Sequence, residues 1–547
     1  MKSSGDANIA SHLPALAESL PESVAVVAPG RAGRITHHTF DELNRASGRL
    51  ARGLQAIGIG RGVRTVLMVK PSFEFFVVTF ALFRAAAIPV LVDPGIGLKS
   101  LGRCLGEAQP AGFIGTPKAH AARIAFGWAR SSLTTLVTTG KRRLGGGWTL
   151  AEVAGIGASP HPMTPVHSQE PAAILFTSGS TGSPKGVLYT HGVFAAQVQV
   201  LRELYGIEPG EVDLATFPLF ALFGPALGMT AVIPEMDFTH PGRVDPGRIF
   251  AAMERTPVTQ LFGSPALLDR VGRFGVARQK TLPTLRRVLS AGAPVPAEVL
   301  ERFSRLLSPG VQIFTPYGAT EALPVSSVGS EEILRETRAQ TAAGRGVCVG
   351  RPVPGMTVAI IRISDGAIEE WSEALRVPPG EIGEITVKGA NVTREYFRRQ
   401  EATRLAKIRG ADGALWHRMG DLGYLDEKGR LWFCGRKSQR VETRDGTLYT
   451  VPCEGVFNAH PSVLRSALVG VPRENGPHPV ICVELEAESP VLDRATLIQE
   501  LHTLGASHPH TVGIQEFLFH PRFPVDIRHN AKIFREKLAL WATKKLS

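Results

Sequence analysis

Phe176-Thr-Ser-Gly-Ser-Thr-Gly-Ser-Pro-Lys-Gly-Val187 decides the reading of this 547-residue chain. It follows a short apolar run, Ala172-Ala-Ile-Leu175, whose composition predicts a buried strand. The hydroxyls and glycines that come next cannot pack as core. Glycine carries no Cβ and tolerates positive φ, so successive backbone N–H groups can turn toward one point. A concave ring of N–H groups with Ser and Thr hydroxyls and one Lys is a phosphate cradle. A Gly/Ser linker has a similar composition, but here Pro184 stiffens the loop, Lys185 supplies a cation and strand-like runs flank it on both sides. The Walker loop has Gly before its Lys and Ser or Thr after it. In this chain Pro184 precedes Lys185 and Gly186 follows.

Thr177-Ser-Gly-Ser-Thr-Gly-Ser-Pro-Lys-Gly186 resembles the signature loop of the adenylate-forming superfamily, which includes acyl-CoA synthetases, peptide-synthetase adenylation domains and luciferases. The resemblance implies that a carboxylate and MgATP give an acyl-adenylate and pyrophosphate. Thr177, Ser178, Gly179, Ser180, Thr181, Gly182 and Lys185 would then hold the phosphates, with ATP and Mg²⁺ as the cofactors.

Further stretches agree, in the superfamily's order. Val288-Leu-Ser-Ala-Gly-Ala-Pro294 reads as a strand entering a turn, where the small residues Ala291, Gly292 and Ala293 would let a flat ring lie against the backbone, and Gly292, Ala293 and Pro294 are expected at the nucleotide. In Ile313-Phe-Thr-Pro-Tyr-Gly-Ala-Thr-Glu321 a strand is expected to end at Gly318, with Tyr317, Thr320 and Glu321 crowded at the carboxyl end of a sheet. Tyr317 can stack on a purine, Thr320 can hydrogen-bond phosphate, and Glu321 is a hard oxygen ligand for Mg²⁺. The same stretch resembles the superfamily's Tyr-Gly-x-Thr-Glu motif. Gly420-Asp421 and Gly435-Arg436 resemble its Gly-Asp…Gly-Arg element, which implies Asp421 on the ribose hydroxyls and Arg436 beside ribose and phosphate. Asp426-Glu-Lys-Gly429 between them reads as a hairpin turn. Pro524-Val-Asp-Ile-Arg-His-Asn-Ala-Lys532-Ile-Phe-Arg535 resembles the catalytic-lysine motif, with Ala531 where Gly is usual. Lys532 would bridge the substrate carboxylate and the α-phosphate; with Glu321 and Thr177 it completes the catalytic set.

The fold class is α/β. The resemblance implies a large N-terminal domain of mixed α/β subdomains plus a β-subdomain over 1–436, and a small, mobile α+β lid over 437–547. Lys437 to Ser547 hold 13 Lys/Arg against 12 Asp/Glu, so nearly all of the net +12 lies in the larger part and suits a polyanionic ligand. No Lys/Arg block interleaved with aromatics is present, which argues against nucleic acid. Five scattered cysteines without a CxxC pair, and a start without an apolar signal core, point to the cytoplasm. Leu214 to Pro234 is uncharged and long enough to span a bilayer. Pro218, Gly224, Pro225 and Gly228 interrupt it, so buried interior is expected, with its Phe and Leu residues as a candidate wall for an apolar substrate.

Phe217-Pro-Leu-Phe-Ala-Leu-Phe-Gly-Pro-Ala-Leu-Gly-Met229, with Ala221 where an aromatic or His is usual, and Phe238-Thr-His-Pro-Gly-Arg243 resemble the β-lactone synthetases of bacterial long-chain olefin biosynthesis. That implies a 2-alkyl-3-hydroxy fatty acid as substrate, and other enzymes of the olefin pathway as partners in an assembly. The loop Lys437 to Glu454, altered from the form that presents coenzyme A sites in thioester-forming relatives, is in keeping with it. A medium- or long-chain acyl-CoA ligase or an acyl-AMP ligase is the alternative. A non-catalytic scaffold is disfavoured by the retention of Lys532, Glu321 and Asp421 together.

Overall fold

Runs that are apolar on both faces form the strands Arg64–Met68, Ile88–Val92 and Gly112–Gly115, which pair in parallel. They belong to a seven-stranded sheet ordered Trp148–Thr149, Thr135–Thr138, Gly112–Gly115, Arg64–Met68, Ile88–Val92, Pro171–Thr177, Lys185–Thr190. The last two strands pair antiparallel, with Thr177 opposite Lys185. Helix Phe40–Ala56 starts in a capping box: Thr39 Oγ1 accepts from Glu42 N–H and Glu42 Oε2 accepts from Thr39 N–H, both at 3.2 Å. Its buried face, Leu43, Leu50 and Leu54, packs on helix Phe73–Arg84, which is buried along most of its length. The computed structural model describes residues 7–30, 34–141, 143–157, 163–177, 184–217, 223–474, 476–486, 493–526 and 532–546.

A fourteen-stranded sheet carries the rest of the large domain. Its parallel block aligns Val24–Pro29, Thr230–Val232, Val212–Ala215, Gln260–Gly263, Arg287–Ser290 and Gln312–Ala319. Ala322–Gly329 then turns back antiparallel, and the sheet continues through Val347–Pro352, Leu431–Arg436, Leu415–Leu425 and Gly383–Lys388 to Thr357–Ile361. The hairpin Val24–Thr39 belongs here and not with its sequence neighbours, because Val26 pairs with Ala231. The described residues of the stretch Leu214 to Pro234 form strand, short helix and strand, in keeping with the breaks expected at Gly224, Pro225 and Gly228, while Pro218 lies outside the described residues. No helix among the described residues is long and apolar enough to cross a membrane.

The C-terminal region is a smaller α+β unit. Strands Val463–Val471, His478–Leu485 and Glu516–Phe519 form one sheet, with helices Thr450–Phe457, Arg494–Ala506 and Arg535–Leu546 around it. All five cysteines are buried and none is disulfide-bonded.

Candidate active site

The strand after Phe314 runs one residue further than Gly318. Gln312–Ala319 and Ala322–Gly329 form a hairpin with Ala319 opposite Ala322, and Thr320 and Glu321 are its two-residue turn. Gly318 is required there, since a Cβ would stand 2.5 Å from the Ala322 carbonyl oxygen. Both turn carbonyls are tied down. The Tyr189 hydroxyl donates to Thr320 O at 2.6 Å, and Thr393 donates its N–H and its Oγ1–H to Glu321 O at 2.8 and 3.0 Å. Satisfied carbonyls on two sides hold the Glu321 side chain in place.

Tyr396 then joins the turn to the signature loop. Its hydroxyl donates to Glu321 Oε1 at 2.6 Å, and Lys185 Nζ lies 4.8 Å from its ring centroid, a cation–π distance. The backbone around Tyr396 runs beside the strand that starts at Lys185: Phe397 N–H donates to Gly186 O at 2.7 Å and Leu188 N–H to Glu395 O at 3.2 Å. Behind them Lys407 is buried and donates to the Thr393 carbonyl. Burial lowers its pKa to about 7, against the pull of Glu321. His417, its cross-strand partner, is held well below the usual imidazole range by burial and by the nearby Lys407 and Lys185, so it is neutral.

The hairpin Leu415–Arg436 presents the second cluster. Asp421 and Arg436 are direct cross-strand partners, with Arg436 Nη1 2.8 Å from Asp421 Oδ1. The Tyr317 hydroxyl donates to Asp421 Oδ2 at 2.6 Å. Burial raises the Asp421 carboxyl above its ordinary range, while Arg436, the Tyr317 hydroxyl and Lys532 pull it back down. Burial and the Asp421 charge push the Tyr317 phenol far up, so it remains a donor. Asp421 Oδ1 is buried and ion-paired without a hydrogen bond, an acceptor matched to the hydroxyl of a diol.

Lys532 is exposed, yet its charge acts on Asp421 from the C-terminal unit. Its N–H donates to Asp526 Oδ1 at 2.8 Å, and Asp526 N–H donates to Lys532 O at 3.0 Å, closing the base of its loop. Gly292, at φ +99°, begins the turn Gly292-Ala-Pro294 just beyond strand Arg287–Ser290, which is the parallel neighbour of the strand bearing Tyr317. Lys185, Tyr317, Glu321, Asp421, Arg436 and Lys532 are thus gathered through linked contacts and fields. Ser178, Gly179, Ser180, Thr181 and Gly182, along with Ala221 and Ala531, lie outside the described residues.

The family model described as AMP-binding enzyme matches residues 14–397. The chain belongs to the AMP-binding enzyme family. Among proteins it resembles, the olefin beta-lactone synthetase of Stenotrophomonas maltophilia (strain K279a) is 52% identical over 554 residues, covering 98% of each chain. That of Xanthomonas campestris pv. campestris is 51% identical over 548 residues, again 98% of each. The fold matches the crystal structure of ATP-bound MatB from Rhodopseudomonas palustris with a TM-score of 0.78 at 23% identity, covering 99% of this chain and 100% of that one.

In this AMP-binding enzyme, four residues around the turn escape sequence reasoning: Tyr189, Thr393, Tyr396 and Lys407. None belongs to a string with a spacing that points to chemistry. Lys407 carries a faint signal, a lysine between Ala406 and Ile408 that heads a strand buried at its first two positions.

Proposed function

We propose that this AMP-binding enzyme activates a long-chain 2-alkyl-3-hydroxy fatty acid with MgATP and closes it to a β-lactone, releasing AMP and pyrophosphate. Identity above one half, sustained from end to end with an olefin beta-lactone synthetase, carries this reading. We also place the domain boundary just past Arg436, with 1–436 as adenylation domain and 437–547 as lid.

In the first step a carboxylate oxygen attacks the α-phosphorus and the bond to pyrophosphate breaks. Catalysis here is positioning and charge neutralisation. The loop Thr177 to Lys185 holds the outer phosphates, with Lys185 steadied over Tyr396. Glu321 suits Mg²⁺, which takes one or two carboxylates together with phosphate oxygens and water. When bound, Mg²⁺ supplies neutralisation of the phosphate charge. Tyr317 and the Gly292–Pro294 turn receive the adenine ring, Asp421 accepts from the ribose hydroxyls, and Arg436 lies toward the phosphate. Lys532 offsets the charge that builds on the attacking oxygen.

In the second step the substrate's own 3-hydroxyl oxygen attacks the activated acyl carbon, its proton departs and AMP leaves. An intramolecular nucleophile has a large effective molarity and requires no second substrate site. The test supplies the purified chain with MgATP and a 2-alkyl-3-hydroxy acid in the absence of coenzyme A. AMP, pyrophosphate and lactone should appear in equal amounts. A reaction that waits for coenzyme A and yields a thioester overturns the reading.

A further inference from the structure

Positive charge is concentrated in one short part of this chain. Between Leu98 and Trp148, eight Lys/Arg stand against one acidic residue, Glu107, so this stretch carries +7 of the net +12. Glu107 is itself taken by the guanidinium of Arg399, at 2.6 and 3.0 Å. Arg143 pairs with Glu152, while Lys99, Arg103, Lys118, Arg130 and Lys141 are exposed. The same stretch holds unusual apolar exposure. Leu98, Ile124 and Phe126 are each more than half exposed, and Trp148 is exposed as well.

Packing makes these residues one face. Helix Leu98–Ala108 lies against Trp128, so closely that a Cβ on Gly102 would stand 3.0 Å from its ring. Phe126 stacks on Trp128, centroids 5.6 Å apart and planes 18° apart. The two rings, Arg130 and the glycines of the helix line an open groove of about 650 Å³. On the far side, a Cβ on Gly145 would meet Arg123 Nη2 at 2.9 Å and Ile124 Cδ1 at 3.2 Å, so the loop leading to Trp148 abuts Ile124.

We propose that this face, helix Leu98–Ala108 with residues 123–131 and 144–148, docks on an anionic lipid surface. Aliphatic and aromatic side chains standing proud among cations are what an interfacial membrane site requires: the apolar groups enter the headgroup boundary and the cations meet lipid phosphate. Single-stranded nucleic acid is bound by aromatic platforms, but Phe126 is engaged by its own Trp128, and Leu98 and Ile124 offer no ring. A stable protein interface depletes charge at its core, whereas here the exposed Lys99, Arg103 and Arg130 share the face with the apolar residues. The inference stands on this surface alone and does not depend on the lactone reading. A docked enzyme would meet water-insoluble acyl chains where they accumulate.

Co-sedimentation of the full chain with vesicles tests it. Vesicles of phosphatidylglycerol and phosphatidylcholine in equal parts should bind the protein, salt should weaken the binding, and phosphatidylcholine alone should bind poorly. Each reversal among Lys99→Glu, Arg103→Glu and Arg130→Glu should weaken binding by at least about fivefold. Ile124→Ser with Phe126→Ser should abolish it. Because these side chains are exposed and outside the site, every variant should keep its melting temperature and its turnover of a short, soluble 3-hydroxy acid. Equal binding to both vesicle types, variants that bind like the parent, or no vesicle binding while duplex DNA or a second copy of the chain binds through the same residues, would each overturn the proposal.

Discussion

Tyr396→Phe keeps the ring under Lys185 and deletes the 2.6 Å hydrogen bond to Glu321 Oε1. A hydrogen bond to a charged group contributes roughly 1.5–3 kcal/mol, so kcat/KM for MgATP should fall about 10–100-fold, with the Mg²⁺ titration moved to higher concentration. An unchanged Mg²⁺ curve would remove Tyr396 from the metal side of the site. Lys532→Ala should slow carboxylate-dependent pyrophosphate release by roughly 100–1,000-fold and leave the melting temperature alone, because the side chain is exposed. Lys407 makes a prediction about pH. Its pKa falls from 10.5 to about 7 on folding, so between those values the unfolded chain holds a proton that the folded chain has released. Stability attributable to Lys407 therefore rises with pH across that window and is lowest below it. Urea titrations at neutral and alkaline pH should show this rise in the parent and not in Lys407→Met. At this scale the residues legible in the sequence were those inside contiguous strings, Lys185, Tyr317, Glu321, Asp421 and Lys532. Tyr396 was not legible, because its partner Glu321 lies 75 positions away and nothing local marks the tyrosine end of that bond.

Between elements, the ion pair of Arg535 and Glu454 ties the last helix to helix Thr450–Phe457. Arg535 donates to both carboxylate oxygens, at 2.6 and 2.8 Å, and both side chains are largely buried. Removing one partner of such a pair strands a buried charge and costs about 3–5 kcal/mol. Arg535→Ala should therefore unfold the C-terminal unit at markedly lower temperature, read by calorimetry. If the transition stays where it was, the pair is incidental. Element identity came through well where the signal was local: the strand over Ala172–Leu175 and the hairpin turn after Asp426 stand as read. Two features did not come through. The hairpin turn at Thr320-Glu321 replaced a strand end at Gly318, because β-turn closure depends on pairing with residues not yet reached in the sequence. The sheet membership of Val24–Pro29 depends on its pairing with Ala231, which strand propensity cannot convey.

Over the whole molecule, the site exists because distant parts converge. Lys185 comes at the edge of the seven-stranded sheet, while Glu321, Asp421 and Arg436 come from the fourteen-stranded one. Lys532 arrives from the C-terminal unit with its field on Asp421. That convergence serves one central claim, that the carboxyl of the substrate is activated and its own hydroxyl closes the ring. Placing ¹⁸O in the 3-hydroxyl of a 2-alkyl-3-hydroxy acid tests it most directly, by mass spectrometry of the products formed with MgATP and no coenzyme A. The account predicts a β-lactone that retains the label and AMP that carries none; label in AMP, or no lactone at all, would contradict it.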